Sequence, residues 1–207
     1  MATDFEKNII ERVALGDIFR RRARATPNRI ALVEKRDGKE LALTFKNLNS
    51  HLNRFARAIR SLGVKQGDRV GLIGLNSIEY VVALYGCAKG GFVAVPVNPG
   101  LNQEDIVYII NHADVHTLVV DDQLIPLVSG IRDKIQKASH FISIPATGRP
   151  VSDPYLDFYN FITPHSDEEI EDINRTRMTP YSLSWKMMVH PRSFGRTGPG
   201  LSRKSMK

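Results

Sequence analysis

Three kinds of side chain in these 207 residues invite a chemical reading: paired carboxylates, histidines at short spacing and a lone thiol. Asp121-Asp122 closes the apolar run HTLVVDD, at the place where an α/β sheet holds ligands or a cation. Adjacent aspartates also make strand-end turns and helix caps, and that reading is preferred here because aspartate so often takes that role. His112 and His116 stand four apart, which on one helix would aim both rings at one metal. The pattern changes from helix to strand between them, so no shared metal is expected, and His140 is isolated. Cys87 lies in the apolar stretch IEYVVALYGCAKG with Lys89 as its basic neighbour. It reads as a buried small residue rather than a nucleophile. GLIGLN at 71–76 has two glycines after a strand but lacks the G-x-G-x-x-G spacing of a dinucleotide loop. The arginines between Arg20 and Arg24 read as a solvated helix face, with a phosphate contact as the alternative. The residues therefore assign no catalytic group and no metal ligand, and they leave cofactor-binding residues open.

The elements that must position these groups are legible from periodicity. LGDIFRRRARA has helical spacing and stops at Thr26-Pro27. RIALVE and ELALTF flank Asp37-Gly38 and predict a hairpin. Thr44 then predicts an N-cap for FKNLNSHLNRFARAIRSLG, where Leu48, Leu52, Phe55, Ala56, Ile59 and Leu62 form one apolar stripe closed by Gly63. RVGLIG predicts a buried strand, Asn76-Ser77 a cap, IEYVVALYGCAKG a helix and FVAVPV another strand. Strand, helix and strand in so short a span make a βαβ unit with parallel strands. In AKGGFVAVPVNP, Gly90-Gly91 end the helix and turn the chain onto the sheet, and Pro96 and Pro99 mark where the strand leaves it. The pattern repeats: NQEDIVYIINHAD helix, HTLVVDD strand, LIPLVSGIRDKIQKAS helix, HFISIPA strand. Four or five parallel strands with intervening helices give an open α/β layer structure.

Charge distribution argues against a nucleic-acid partner. The net charge is +7, but eight of the 29 Lys and Arg lie in 175–207, which has no Asp or Glu. The remainder is balanced, with 21 basic against 22 acidic residues. A single cysteine permits no disulfide within the chain and fits a reducing compartment. MATDFEKNII lacks the basic start and apolar core of a secretory signal, and no stretch is long and apolar enough to span a membrane. A cytoplasmic location is expected.

Several of these segments resemble the N-terminal part of the AMP-forming acyl-CoA synthetases, the adenylate-forming ligases. ATPNRIALV resembles the family's TPDKIALV, LTFKNL its LTYxEL, CAKGGFVAVPVNP its LKAGAVYVPLNP and ADVHTLVVDD its AxAKxLIVD. The likeness is collinear over residues 13 to 145, and VPVNPGLNQEDIVYIINHAD is similar to the fatty-acyl or medium-chain branch. It implies ligation of a carboxylic acid, a fatty acid by this branch, to coenzyme A, with ATP and Mg²⁺. The family carries a phosphate loop of the type T-S-G-T-T-G-x-P-K-G, and further downstream an adenine- and Mg²⁺-binding motif, a ribose-binding Asp and a catalytic Lys. None of these motifs is in the 207 residues.

Where the loop is expected stands TPYSLSWKMMVHPRSFGRTGPGLSRKSMK, which holds the only Trp and no acid. Back-translated and read from the third base of each codon, residues 184 to 205 allow EDDGPPAIIWTNGTG, two more residues, then PK. That resembles the family's DDPAxIIYTSGTTGLPKG, so the tail reads as a frameshift product. A genuine C-terminal arm remains the alternative. The expectation is then a partial N-terminal α/β subdomain at 1–163, an acidic linker at 164–174 matching a solvent-exposed loop of the family, and a disordered basic tail at 175–207. No cofactor is expected on such a fragment, and it is expected to be inactive alone. The competing reading is a non-catalytic module that docks on a full-length ligase or on an anionic partner through its tail.

Overall fold

The computed structural model describes residues 15–171. The expected basic tail falls outside them. Helix α1 (Leu15–Ala25) leads into a hairpin of β1 (Ile30–Arg36) and β2 (Lys39–Thr44), which turns through Asp37 and Gly38, both at positive φ. Helix α2 (Phe45–Ser61) starts where expected, with the Thr44 hydroxyl accepting the Asn47 N–H at 3.2 Å. Then come β3 (Arg69–Ile73), α3 (Ile78–Gly90), β4 (Val93–Val97), α4 (Gln103–His112), β5 (Val115–Asp121), the short α5 (Ile125–Ser129), β6 (His140–Ile144), β7 (Tyr155–Asp157) and α6 (Phe158–Ile162).

The five strands from β3 onward form one parallel sheet in the order β4-β3-β5-β6-β7. Side chains alternate across a strand, so each strand feeds two cores. Val70, Leu72, Val119, Ile142 and Ile144 meet α2, α3 and α6 on one face. Ile73, Leu118, Val120 and Phe141 meet α4 and α5 on the other. This is the expected α/β architecture, a parallel sheet flanked by helices.

The Gly-Gly pair works as anticipated. Gly91 takes the left-handed conformation at φ 76°, caps α3 and lets β4 begin at once. Pro96, by contrast, does not end β4 but sits within it opposite Leu72. It is tolerated because β4 is the sheet edge and needs no amide on its outer side.

Three expectations change. LIPLVSGIRDKIQKAS is not one helix: α5 stops at Ser129 and a 3₁₀ turn follows at Arg132–Lys134. Gly130 interrupts the helix, and the Asn111 side chain holds the chain out of it, donating to the Lys134 carbonyl at 2.8 Å and accepting from the Gln136 amide at 3.0 Å. PYLDFYNFI supplies a fifth strand and a helix that the periodicity did not announce, because β7 is only three residues long. The described part of the acidic segment does not stand free in solvent either. It lies along α2, with Ile170 at 3% exposure beside Ala56.

Helices α2 and α3 pack closely against each other on one face of the sheet. A Cβ on Gly86 would lie 2.5 Å from the Phe55 ring, which is fully buried. Gly86→Ala is therefore expected to destabilise the fold by about 1–3 kcal/mol through overpacking. Urea denaturation should show a lower midpoint with an unchanged slope.

Candidate functional site at the carboxyl end of the sheet

Parallel strands bring all their carboxyl ends to one edge. In an open α/β sheet ligands gather there, where neighbouring strands connect in opposite directions. Here that point lies between β3, which continues to β4 on one side, and β5 on its other side. The turn Gly74–Ser77 and the pair Asp121-Asp122 meet at it, joined by the N-terminus of α3.

Asp121 is fully buried, and one of its oxygens accepts the Leu75 N–H at 2.7 Å. The approach is close: a Cβ on Gly74 would lie 2.8 Å from Asp121 Oδ1. Burial pushes this carboxyl above its ordinary range, and the charges of Asp122 and Glu79 push the same way against the Leu75 hydrogen bond. Asp122 accepts the Thr147 N–H at 2.9 Å and the Arg149 N–H at 3.1 Å. The pair thus organises turns, as its place at a strand end suggested.

Glu79, at 2% exposure, is the centre of a second set of contacts. Arg36 Nη2 donates to it at 2.5 Å and the Tyr159 hydroxyl at 2.6 Å. Arg36 Nε also donates to Glu34 at 2.6 Å, and Glu34 accepts the Ile78 N–H at 2.7 Å. The guanidinium therefore bridges two carboxylates and ties the hairpin to the start of α3 and to α6. Burial raises the Glu79 carboxyl, but the Arg36 and Tyr159 hydrogen bonds outweigh it and leave the group below its ordinary range. Burial and the Glu79 bond raise the Tyr159 hydroxyl in turn. Beside them is a small apolar hollow of about 160 Å³ lined by Leu41, Leu43, His51, Val82 and Phe158. Burial, then the charge of Arg54, lowers the His51 imidazole.

This edge does not fit a polyphosphate or its magnesium. Two carboxylates, Glu34 and Glu79, already hold the Arg36 guanidinium, and two more, Asp121 and Asp122, already accept backbone amides. The amides that usually greet an anion at a helix N-terminus are taken: Ser77 Oγ accepts the Tyr80 N–H at 3.0 Å and Glu34 the Ile78 N–H. Among the described residues no three His, Cys, Asp or Glu side chains converge on a metal position.

The other candidates disperse. His112 stacks on Tyr108 at the end of α4, ring centroids 5.3 Å apart, while His116 lies in β5 and His140 opens β6. Cys87 is fully buried, and burial raises its thiol. Gly71 is a packing glycine of β3, its Cβ position 2.6 Å from Leu118 Cδ2. Arg21, Arg22 and Arg24 are exposed, and Arg20 pairs with Asp17 at 3.1 Å. The Arg36–Glu79–Tyr159 cluster was missed. Its only sign was a glutamate in the first turn of a mainly apolar helix.

Two consequences of opposite sign can be measured. Arg36→Met strands a buried carboxylate and is expected to lower stability by about 3 kcal/mol at pH 7. Glu79 is depressed in the fold, so its contribution is present above its unfolded pKa of about 4.3 and fades as pH falls through the lower folded value. The gap between wild type and Arg36→Met should narrow over that acid range in urea titrations. Asp121 is raised in the fold, so the fold binds its proton more tightly than the unfolded chain does. Asp121→Asn should gain on wild type as pH rises from about 4 and then level off.

Known proteins agree with this fold and its segment order. The family model described as AMP-binding enzyme matches residues 19–170. The chain is 30% identical over 137 residues to the 3-methylmercaptopropionyl-CoA ligase of Ruegeria lacuscaerulensis, covering 65% of this chain and 25% of that one. It is 30% identical over 132 residues to a long-chain-fatty-acid–CoA ligase of Thermus thermophilus, covering 64% and 24%. The crystal structure of the anthranilate CoA ligase AuaEII with anthranoyl-AMP superposes with a TM-score of 0.64 at 27% identity, over 75% of this chain and 29% of that one. The chain thus spans about a quarter of the length of these curated relatives. Among the described residues no helix is long and apolar enough to cross a membrane. With its fold, segment order and motifs all in register with these ligases, the chain belongs to the AMP-binding enzyme family.

Proposed function

We propose that this chain is the N-terminal α/β portion of a ligase that joins a carboxylic acid, of the fatty class, to coenzyme A, and that this portion does not complete the reaction alone. The reading rests on one observation above the others: a collinear family match over residues 19–170 in a chain spanning about a quarter of its curated relatives. In the proposed reaction the carboxylate attacks the α-phosphate of ATP and pyrophosphate leaves. The coenzyme A thiol then displaces AMP from the acyl-adenylate and forms the thioester. Both steps gather negative charge on phosphate oxygens, so they need cations and hydrogen-bond donors aimed at them. The carboxyl edge described above offers the reverse, buried carboxylates beside amides that are already bonded. The part assigned to residues 15–171 is scaffolding, a packed sheet against which the phosphate-binding segments of a longer ligase fold.

The test is an assay of pyrophosphate release and thioester formation with ATP, Mg²⁺, coenzyme A and acids of graded chain length. The 207-residue chain is expected to form no thioester above the blank. A version read through the shifted frame from codon 184, and continuing into the downstream ligase sequence, is expected to form it. Thioester from the 207-residue chain alone would refute the scaffolding role. A readable downstream frame whose product forms no thioester would refute the ligase reading.

A further inference from the structure

Lys89 is the charged residue of CAKGGFVAVPVNP, a motif otherwise spent on turning the chain and filling the core. It sits in the last turn of α3 with its side chain only 5% exposed. Its ammonium donates to Asn53 Oδ1 at 2.6 Å, Asn49 Oδ1 at 2.7 Å and Glu169 at 2.8 and 3.0 Å. Three N–H groups thus meet two amide oxygens and one carboxylate taken side-on, which fills the donor set of an ammonium. Glu169 also accepts the Asn49 amide at 2.6 Å.

The rest of the segment follows that carboxylate onto α2. Asn53 donates to the Asp167 carbonyl at 2.8 Å and Ser50 to the Asp167 carboxylate at 2.6 Å. Arg57 donates to the carbonyls of Glu168 and Glu169, each at 3.3 Å. Asn49, Asn53 and Arg57 recur every four residues, so one ridge of α2 carries much of the docking site, with Ser50 beside it. Ile170 closes it at 3% exposure.

We propose that Lys89 is a positioning residue: it anchors the segment Asp167–Ile170 across α2 and so fixes the course of the chain over that helix. The anchor is an ion pair because a buried ammonium requires a partner. An apolar residue at position 89 would pack equally well but would make no demand on the segment. The consequence rests on the ligase reading. In that family the phosphate loop follows this segment, so Lys89 sets the point from which the loop starts.

The test needs no substrate, so its failure is distinct from failure of the ligase reading. The full 207-residue chain is treated with a glutamate-specific protease, and cleavage after Glu168 is timed by mass spectrometry. Under native conditions this rate follows opening of the segment. Lys89→Met and Glu169→Met are each expected to speed cleavage there about a hundredfold, the effect of losing one partner of a buried pair, while cleavage after Glu34 in β1 and Glu104 in α4 stays unchanged. The double variant is expected to be cut no faster than the faster single variant, since it leaves no buried charge unpaired. Glu169 lies outside both large cores, so Glu169→Met decides the matter even if Lys89→Met does not fold. Unchanged cleavage in Glu169→Met would overturn the proposal. So would a double variant whose acceleration is the product of the two singles, because Lys89 and Glu169 would then act independently.

Discussion

A parallel sheet has to be covered on both faces, because its crossover connections run over them and its strands are apolar on each side. Most other features of this fold follow from that constraint. Val70 and Leu72 of the central strand β3 point into one core and Ile73 into the other, and all three are fully buried. One face is closed by α4 and the short α5. The other needs the long α2 laid over α3, close enough that Gly86 has no room for a side chain against Phe55. Once two helices approach that closely, the polar atoms caught at their ends must be satisfied inside the protein.

Helix α3 shows how. It is apolar along its length but carries Glu79 in its first turn and Lys89 in its last, at 2% and 7% exposure. A carboxylate at the N-terminus and an ammonium at the C-terminus both suit the helix dipole, but that benefit alone does not offset burial of a charge. Each end therefore recruits a partner from a peripheral segment. Glu79 draws in Arg36 of the hairpin and Tyr159 of α6, and Lys89 draws in Glu169. The hairpin pairs only with itself and not with the main sheet, so it is held to the core by side chains, these and the contacts of Ala31, Leu32 and Leu43 among them. Burial of two charges on one helix thus sets the register of pieces distant in sequence.

The layered core was legible because it rests on local rules. Thr44, Ser77 and Gly91 are caps, and capping chemistry is written within four residues. The stripe from Leu48 to Ile59 has the helical period, and βαβ spacing implies parallel strands. What could not be read depends on contacts made across the chain. Residues 131–136 carry a helical pattern, yet Asn111 holds their backbone in another shape. β7 is too short to show alternation and exists because Phe141–Ser143 offer it an edge. Glu169 reads as one acid among several in an exposed linker, and only the fold shows that Lys89 lies under it. Of the chemical candidates, Asp121-Asp122 was placed at the right edge from sequence. The Arg36–Glu79 pair was not, since 43 residues separate its members.

The same electrostatics bears on the adenylate chemistry proposed above. A phosphate cradle needs amides and cations free to meet an incoming anion. At the sheet's carboxyl edge the amides of Leu75, Ile78 and Tyr80 are already committed to Asp121, Glu34 and Ser77, and the Arg36 guanidinium is held between two carboxylates. Releasing the Leu75 amide or the Arg36 guanidinium for a ligand would take a partner from the buried acids Asp121 or Glu79, a cost of several kcal/mol that a phosphate contact at the protein surface does not return. The polar groups here are therefore structural by energetic necessity. On the ligase reading proposed above, phosphate-binding groups come from residues outside this edge, and the packed sheet of residues 15–171 is the scaffold they fold against.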